Sequence, residues 1–150
     1  MKIVSWNCRG IGSKFKKYLI RYLIRMEKLF ILLIQETKLG ETEMKESATK
    51  TWKRSNVEAM DSRGASGGLC TLWNPEEFAL QNFKKEKHLL MVTLQHNQSG
   101  KSFNIFNIYA PNSYNEKTQT WKTLSDQKEV GLHINNILVV IDFNTIISPS

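Results

Sequence analysis

Between residues 54 and 110 the chain passes through successive extended, β-branched and aromatic segments separated only by turn signals. "SNVEAMDS" leads through the glycine-rich "RGASGG" into the apolar "LCTLWNP". Residues 78–83 and 88–96 are two further extended stretches, and "NQSGK" turns the chain into "SFNIFNIYAP". Such a succession builds antiparallel strand pairs. It argues against a doubly wound parallel sheet, in which each strand is followed by a helix.

The two ends of the chain read differently. Residues 2–6 form a short β-branched strand that stops at "NCRGIGS", and residues 29–34 form an apolar strand that ends at "QETKLG". Between them Phe15, Tyr18, Leu19, Tyr22, Leu23 and Met26 recur at three- and four-residue steps and are expected to form the apolar face of a helix. Lys16, Lys17, Arg21, Arg25 and Lys28 take the other face. This is a β-α-β opening that sets Glu36 beside Asn7 if the strands are parallel neighbours. Residues 41–50 are charged and compatible with a helix. Residues 114–132 space Trp121, Leu124 and Leu132 for one helical face, before a final buried strand, "ILVVIDFNT".

Composition limits the function classes. A chain of 150 residues is the size of one domain, and no linker, repeat or low-complexity segment divides it. Lysine and arginine number 21 against 14 acidic residues, a net charge of +7 that favours an anionic partner such as nucleic acid or an acidic membrane surface. Cys8 and Cys70 are far apart and outside any C-x-x-C pattern, so neither a zinc site nor a disulfide framework is suggested. The longest apolar run, 29–34, is far short of the ~20 residues that span a bilayer. With no apolar signal core at the N-terminus, an intracellular protein without a membrane partner is expected.

Polar clusters fall at four strand ends: "SWNCRG" with Asn7, "IQETK" with Glu36, "NIYAPN" with Tyr109 and Asn112, and "IDFNT" with Asp142 and Asn144. This is the donor set a divalent-metal phosphodiesterase needs. A carboxylate such as Glu36 offers hard oxygens to Mg²⁺ or Mn²⁺, Asp142 can orient an attacking water, and Asn7 and Asn144 can steady carboxylates or phosphate. Tyr109 can donate a hydrogen bond without adding charge. Taken singly each has a plainer explanation: Asn7 as the cap of a turn, Asp142 with Asn144 as an Asx turn that ends a strand. "VSWNCRGIGSKF" also carries half of a dinucleotide fingerprint, Gly10-x-Gly12, but Phe15 replaces the third glycine.

In combination, "WNCRG", "LLIQETK", "ASGGLCTLWNP", "FNIYAPN" and "DFNTI" resemble the endonuclease/exonuclease/phosphatase superfamily of apurinic endonucleases and deoxyribonuclease I. The wording is most similar to the endonuclease domains of plant LINE-type non-LTR retrotransposons. The resemblance implies an α/β fold, a four-layered sandwich of the deoxyribonuclease I-like type. It also implies a Mg²⁺- or Mn²⁺-dependent endonuclease that leaves a hydroxyl product end, a nuclear setting, and DNA as a weakly held, electrostatic partner. Glu36 matches the family's metal-binding glutamate and Asn7 its supporting amide. Tyr109 matches the tyrosine near the phosphate; Asp142 and Asn144 match the "GDFN" motif. Ile141 replaces the glycine of that motif. The family's later acidic residue and aspartate-histidine pair would follow Ser150, and His88, His96 and His133 lie in other places. The expectation is therefore the N-terminal part of one domain, residues 1–150, incomplete at its C-terminus, with little or no activity. Inner-face residues such as Leu69, Leu72 and Ile105 would be short of cover, and open sheet edges would favour self-association. The alternative is a non-catalytic, basic nucleic-acid-binding remnant of a retroelement.

Overall fold

A computed structural model of the protein describes residues 2–63, 66–110, 113–130 and 136–142. The elements in chain order are β1 (Ile3–Asn7), α1 (Lys14–Glu27), β2 (Ile31–Gln35), α2 (Glu41–Thr51), β3 (Asn56–Arg63), β4 (Ser66–Trp73), β5 (Phe78–Glu86), β6 (Leu89–His96), β7 (Ser102–Tyr109), α3 (Tyr114–Val130) and β8 (Asn136–Asp142). Four strands form one sheet in the order β1-β2-β4-β3, and four form a second in the order β5-β6-β7-β8. Among the described residues only β1 with β2 and β7 with β8 pair in parallel; the pairings between them in sequence are antiparallel. The antiparallel middle excludes the dinucleotide-binding alternative. The expected four-layered sandwich is what forms.

Period-2 alternation explains how the layers adhere. Along β2, Leu32 and Ile34 pack outward with Ile20 of α1 and Met44 and Ala48 of α2, while Ile31 and Leu33 pack inward with Val92, Leu94 and Ile105 of the second sheet. Phe106 and Ile108 of β7 pack outward with Leu124 of α3, and Ile105 faces inward. A strand covered on both faces is mostly apolar, and β7 adds two buried polar residues, Asn104 and Asn107, to such a run. This is why the alternation of "SFNIFNIY" looks imperfect. Leu69, Leu72 and Ile105 are each buried, so the expected shortage of cover is not found. Leu72 also belongs to the outer cluster under the helices, not to the inner face.

The first helix is oriented differently from the expectation. Ile20 is buried, and Leu23 and Ile24 pack on the outer cluster, whereas Phe15, Tyr18, Tyr22 and Met26 are exposed. Two arcs of this helix are apolar, and the one bearing Ile20, Leu23 and Ile24 is the one that meets the sheet. Ser13 starts the helix by accepting a hydrogen bond from the Lys16 amide at 3.1 Å, and Lys28 ends it in the left-handed region at φ 48°. In α3, Leu124 is buried but Trp121 is largely exposed, and Leu132 lies outside the described residues. Among the described residues no helix is long and apolar enough to cross a membrane.

Candidate active site

The two parallel pairs aim their carboxyl ends the same way, and the site forms where those ends meet. Asn7 closes β1 opposite Gln35, the last residue of β2, with Glu36 next in sequence. Tyr109 closes β7 opposite Asp142, the last residue of β8. The Asn7 amide nitrogen donates a hydrogen bond to Asp142 Oδ2, joining one sheet to the other. Asn7 Oδ1 accepts from the Arg9 amide at 3.0 Å, so the turn-capping role and the site role belong to the same side chain. The Asp142 carbonyl accepts from the Ala110 amide at 2.8 Å, which anchors the acid's backbone to the end of β7.

Glu36 has an unusual backbone. Its φ is 52° and that of Lys38 is 56°, both in the left-handed region that L-residues with side chains enter at a cost of ~1 kcal/mol or more. Neighbouring backbone holds this segment from both sides. The Gly10 and Ile11 amides donate to the Glu36 and Thr37 carbonyls at 2.6 and 3.1 Å, and the Thr37 and Lys38 amides donate to Gly68 and Gly67 at 3.2 and 3.0 Å. Gly67 and Gly68 themselves have φ of 86° and 89°, a conformation glycine adopts freely. Gly67 and Gly68 thus grip the chain that presents Glu36. Lys16 reaches back from α1 to the Arg9 and Gly10 carbonyls at 3.2 and 2.9 Å, bringing a cation to the same loop.

A buried polar network lies beneath these groups. Gln35 Nε2 donates to Asn107 Oδ1 at 2.8 Å across the sheets and to Ser5 Oγ at 3.0 Å. Asn107 Nδ2 donates to the Cys70 and Ile34 carbonyls at 3.0 and 3.3 Å. Neither Gln35 nor Asn107 was singled out from the sequence, although a polar residue inside the apolar run "FNIFNIYAP" was the available signal. His88 was also missed as a neighbour of the site. Its ring lies 6.3 Å from that of Tyr109, and its carbonyl accepts from the Tyr109 amide at 3.1 Å. A cavity of about 60 Å³ opens beside Tyr109, lined also by Met60, Asp61, Gly67, Gly68, Leu69 and His88; Asn7 and Asp142 are not part of its lining. His96 is away from the site, facing Glu77 and Ser99. Ile141 packs toward α3, on the outward side of β8, so the branched side chain in place of the family glycine has room. Burial pushes the thiols of Cys8 and Cys70 up, which keeps both neutral. Asn112, His133 and Asn144 lie outside the described residues.

A divalent cation, implied by the resemblance, fits this donor set in one form. Glu36 supplies a partly exposed carboxylate and Asp142 a second at the same end of the sandwich. Mg²⁺ commonly takes one or two carboxylates and retains several waters. Among the described residues no group of three or more histidine, cysteine, aspartate or glutamate side chains comes together.

Comparison with known proteins gives the relationship. No family model matches the chain. A DNA-(apurinic or apyrimidinic site) endonuclease of Dictyostelium discoideum is 32% identical over 117 residues, which cover 75% of this chain and 31% of that protein. The catalytic domain of Xenopus laevis APE2 superposes with a TM-score of 0.74 at 17% identity, over 97% of this chain and 59% of that one. An endonuclease/exonuclease/phosphatase family protein from Bacteroides thetaiotaomicron superposes with a TM-score of 0.75 at 12% identity, over 98% of this chain and 64% of that one. The fold is that of the endonuclease/exonuclease/phosphatase superfamily. The solved structures give the likeness of fold, and the sequence relative is an apurinic or apyrimidinic site endonuclease of which this chain covers 31%. The chain spans about a third of the length of the relative and less than two thirds of each of these superfamily structures.

Proposed function

We propose that this chain carries the metal-dependent phosphodiesterase site of a DNA endonuclease of LINE-type retrotransposon kind. The observation that carries the reading is the Asn7–Asp142 hydrogen bond between the two sheets, with Glu36 and Tyr109 at the adjoining strand ends. Glu36 is the residue to hold Mg²⁺ or Mn²⁺, which supplies charge neutralisation and polarisation at a phosphoryl group. Asp142, oriented by Asn7, accepts a proton from the attacking water. Tyr109 donates to a non-bridging phosphate oxygen, and Asn144 steadies the same phosphate. The retrotransposon kind rests on the wording of the five motifs. Slow turnover is part of the proposal, because a cation held by so few carboxylates is held weakly.

The test is nicking of supercoiled plasmid in Mg²⁺ by the chain and by Asp142→Ala, with duplex binding measured in parallel. Binding that weakens steeply with salt is expected, together with nicking near the limit of detection that Asp142→Ala removes. Nicking unchanged in Asp142→Ala would place the chemistry elsewhere. Binding with no metal-dependent cleavage at all would favour a non-catalytic nucleic-acid-binding protein, a reading that the net charge of +7 independently favours.

Self-association belongs to the same proposal. Among the described residues β1 and β8 each pair on one side only, and both strands are half-buried where the central strands are covered. Open edges recruit further strands. Sedimentation should therefore show mass rising with concentration; a monomer at all concentrations would remove this part of the proposal.

A further inference from the structure

On the outer side of α1 the sequence repeats a cation followed by an apolar side chain: Lys14-Phe15, Lys17-Tyr18, Arg21-Tyr22 and Arg25-Met26. The steps of three, four and four residues place one such pair on each helical turn. Phe15, Tyr18, Tyr22 and Met26 are 69%, 60%, 51% and 63% exposed. At 3.6 residues per turn they fall within an arc of about 80°, and the four cations within an adjoining arc of about 80°. Two parallel rails result, roughly 18 Å long at 1.5 Å per residue. Neither rail is needed for packing, since Ile20, Leu23 and Ile24 make the contact with the sheet. Single exposed rings are ordinary, but a continuous row of them is a binding surface in search of a partner.

The charges select the partner. The one carboxylate of α1, Glu27, is held by Lys2, which leaves the outer face without an opposing anion of its own. Arg21 lies along the surface, donating to the Lys50 carbonyl at 3.3 Å. A second copy of the chain would set like charges against each other. A membrane-surface helix buries a broad apolar face, whereas here the exposed apolar arc is only about 80° wide and carries two tyrosine hydroxyls, the aliphatic residues being committed to the core. A polyanion whose repeating units each offer a flat π face satisfies both rails at once. We propose that the outer face of α1 binds single-stranded nucleic acid, with bases stacked on Phe15, Tyr18 and Tyr22 and phosphates along Lys14, Lys17, Arg21 and Arg25. Duplex DNA does not fit as well, because its bases are already stacked inside. The helix begins just beyond the loop after Asn7, so the track starts at the site end of β1. The inference does not depend on catalysis at that site.

Fluorescence anisotropy of a labelled oligothymidylate, read on the full chain, tests it. Tyr18→Ala with Tyr22→Ala is expected to weaken binding about 10-fold or more, since stacking on an aromatic ring is lost at two positions. Tyr18→Phe with Tyr22→Phe keeps the rings and should bind as the parent does. Arg21→Gln with Arg25→Gln should reduce the slope of log affinity against log salt by about 1.4, at roughly 0.7 per phosphate contact on a single strand. Duplex affinity should be unaffected by the ring substitutions, and an unchanged thermal transition would show that each variant folds. Three outcomes would overturn the proposal: unchanged oligothymidylate binding by the alanine variant, preference for phosphatidylserine vesicles over oligothymidylate, or a dimer that the alanine variant dissolves.

Discussion

Asn107→Ala is expected to lower the stability of the fold by about 3 kcal/mol, a fall of roughly 6–12 °C in Tm for a chain of this size. Asn107 is fully buried and uses both ends of its amide. It receives Gln35 Nε2 at 2.8 Å and donates to the carbonyls of Cys70 and Ile34 at 3.0 and 3.3 Å. Truncation removes the partner of a buried amide and leaves a cavity where the two sheets touch. Each buried polar group left unsatisfied costs about 1–3 kcal/mol, so this term outweighs the lost side-chain packing. Asn107→Leu restores volume without restoring hydrogen bonds and should recover little. The same change reaches the site, because Asn107 lies two residues before Tyr109 and its partner Gln35 immediately precedes Glu36. Thermal denaturation of the parent and both variants provides the measurement. A loss of stability below about 1 kcal/mol in Asn107→Ala would show that the network is not under tension from burial.

The two-sheet architecture could be read from the sequence because its signals are local. Turn residues at "NQSGK" and glycines at "RGASGG" punctuate the antiparallel middle, and apolar runs at 29–34 and 137–141 read as buried strands. Asn7, Glu36, Tyr109 and Asp142 are candidates because each lies at or just beyond the carboxyl end of a strand, although Gln35 is the first polar residue after the run 29–34. The orientation of α1 could not. Periodicity reports the spacing of an apolar face but not which of two apolar arcs meets the sheet, and here Ile20 and Ile24 displaced Tyr18 and Tyr22. The network of Ser5, Gln35 and Asn107 was hidden for a different reason. Polar side chains in a strand normally signal a solvent face, and only the packing of a second sheet turns these into buried partners across the sandwich. The left-handed backbone at Glu36 likewise depends on its hydrogen bonds to Gly10 and on the grip of Gly67 and Gly68 on the residues that follow, contacts remote in sequence.

Glu36→Gln is expected to reduce affinity for Mn²⁺ at least ~10-fold, since losing even a contact that supports a ligand commonly costs about 10–100-fold in metal affinity. Glutamine matches glutamate in size, so the substitution removes the charge and one hard oxygen acceptor while leaving the held backbone of residues 36–38 in place. Few carboxylates stand in reserve: among the described residues no cluster of three or more potential ligands is present to take over. Asp142 is engaged by the Asn7 amide; in the proposed roles it acts on the attacking water and the cation is left to Glu36. Whether these strand ends form a cation-dependent phosphate site is decided most directly by calorimetric titration of Mn²⁺ into the chain and into Glu36→Gln. Weak, saturable binding by the chain that largely disappears in Glu36→Gln is the predicted result; equal binding by the two proteins would contradict it and remove Glu36 from the site.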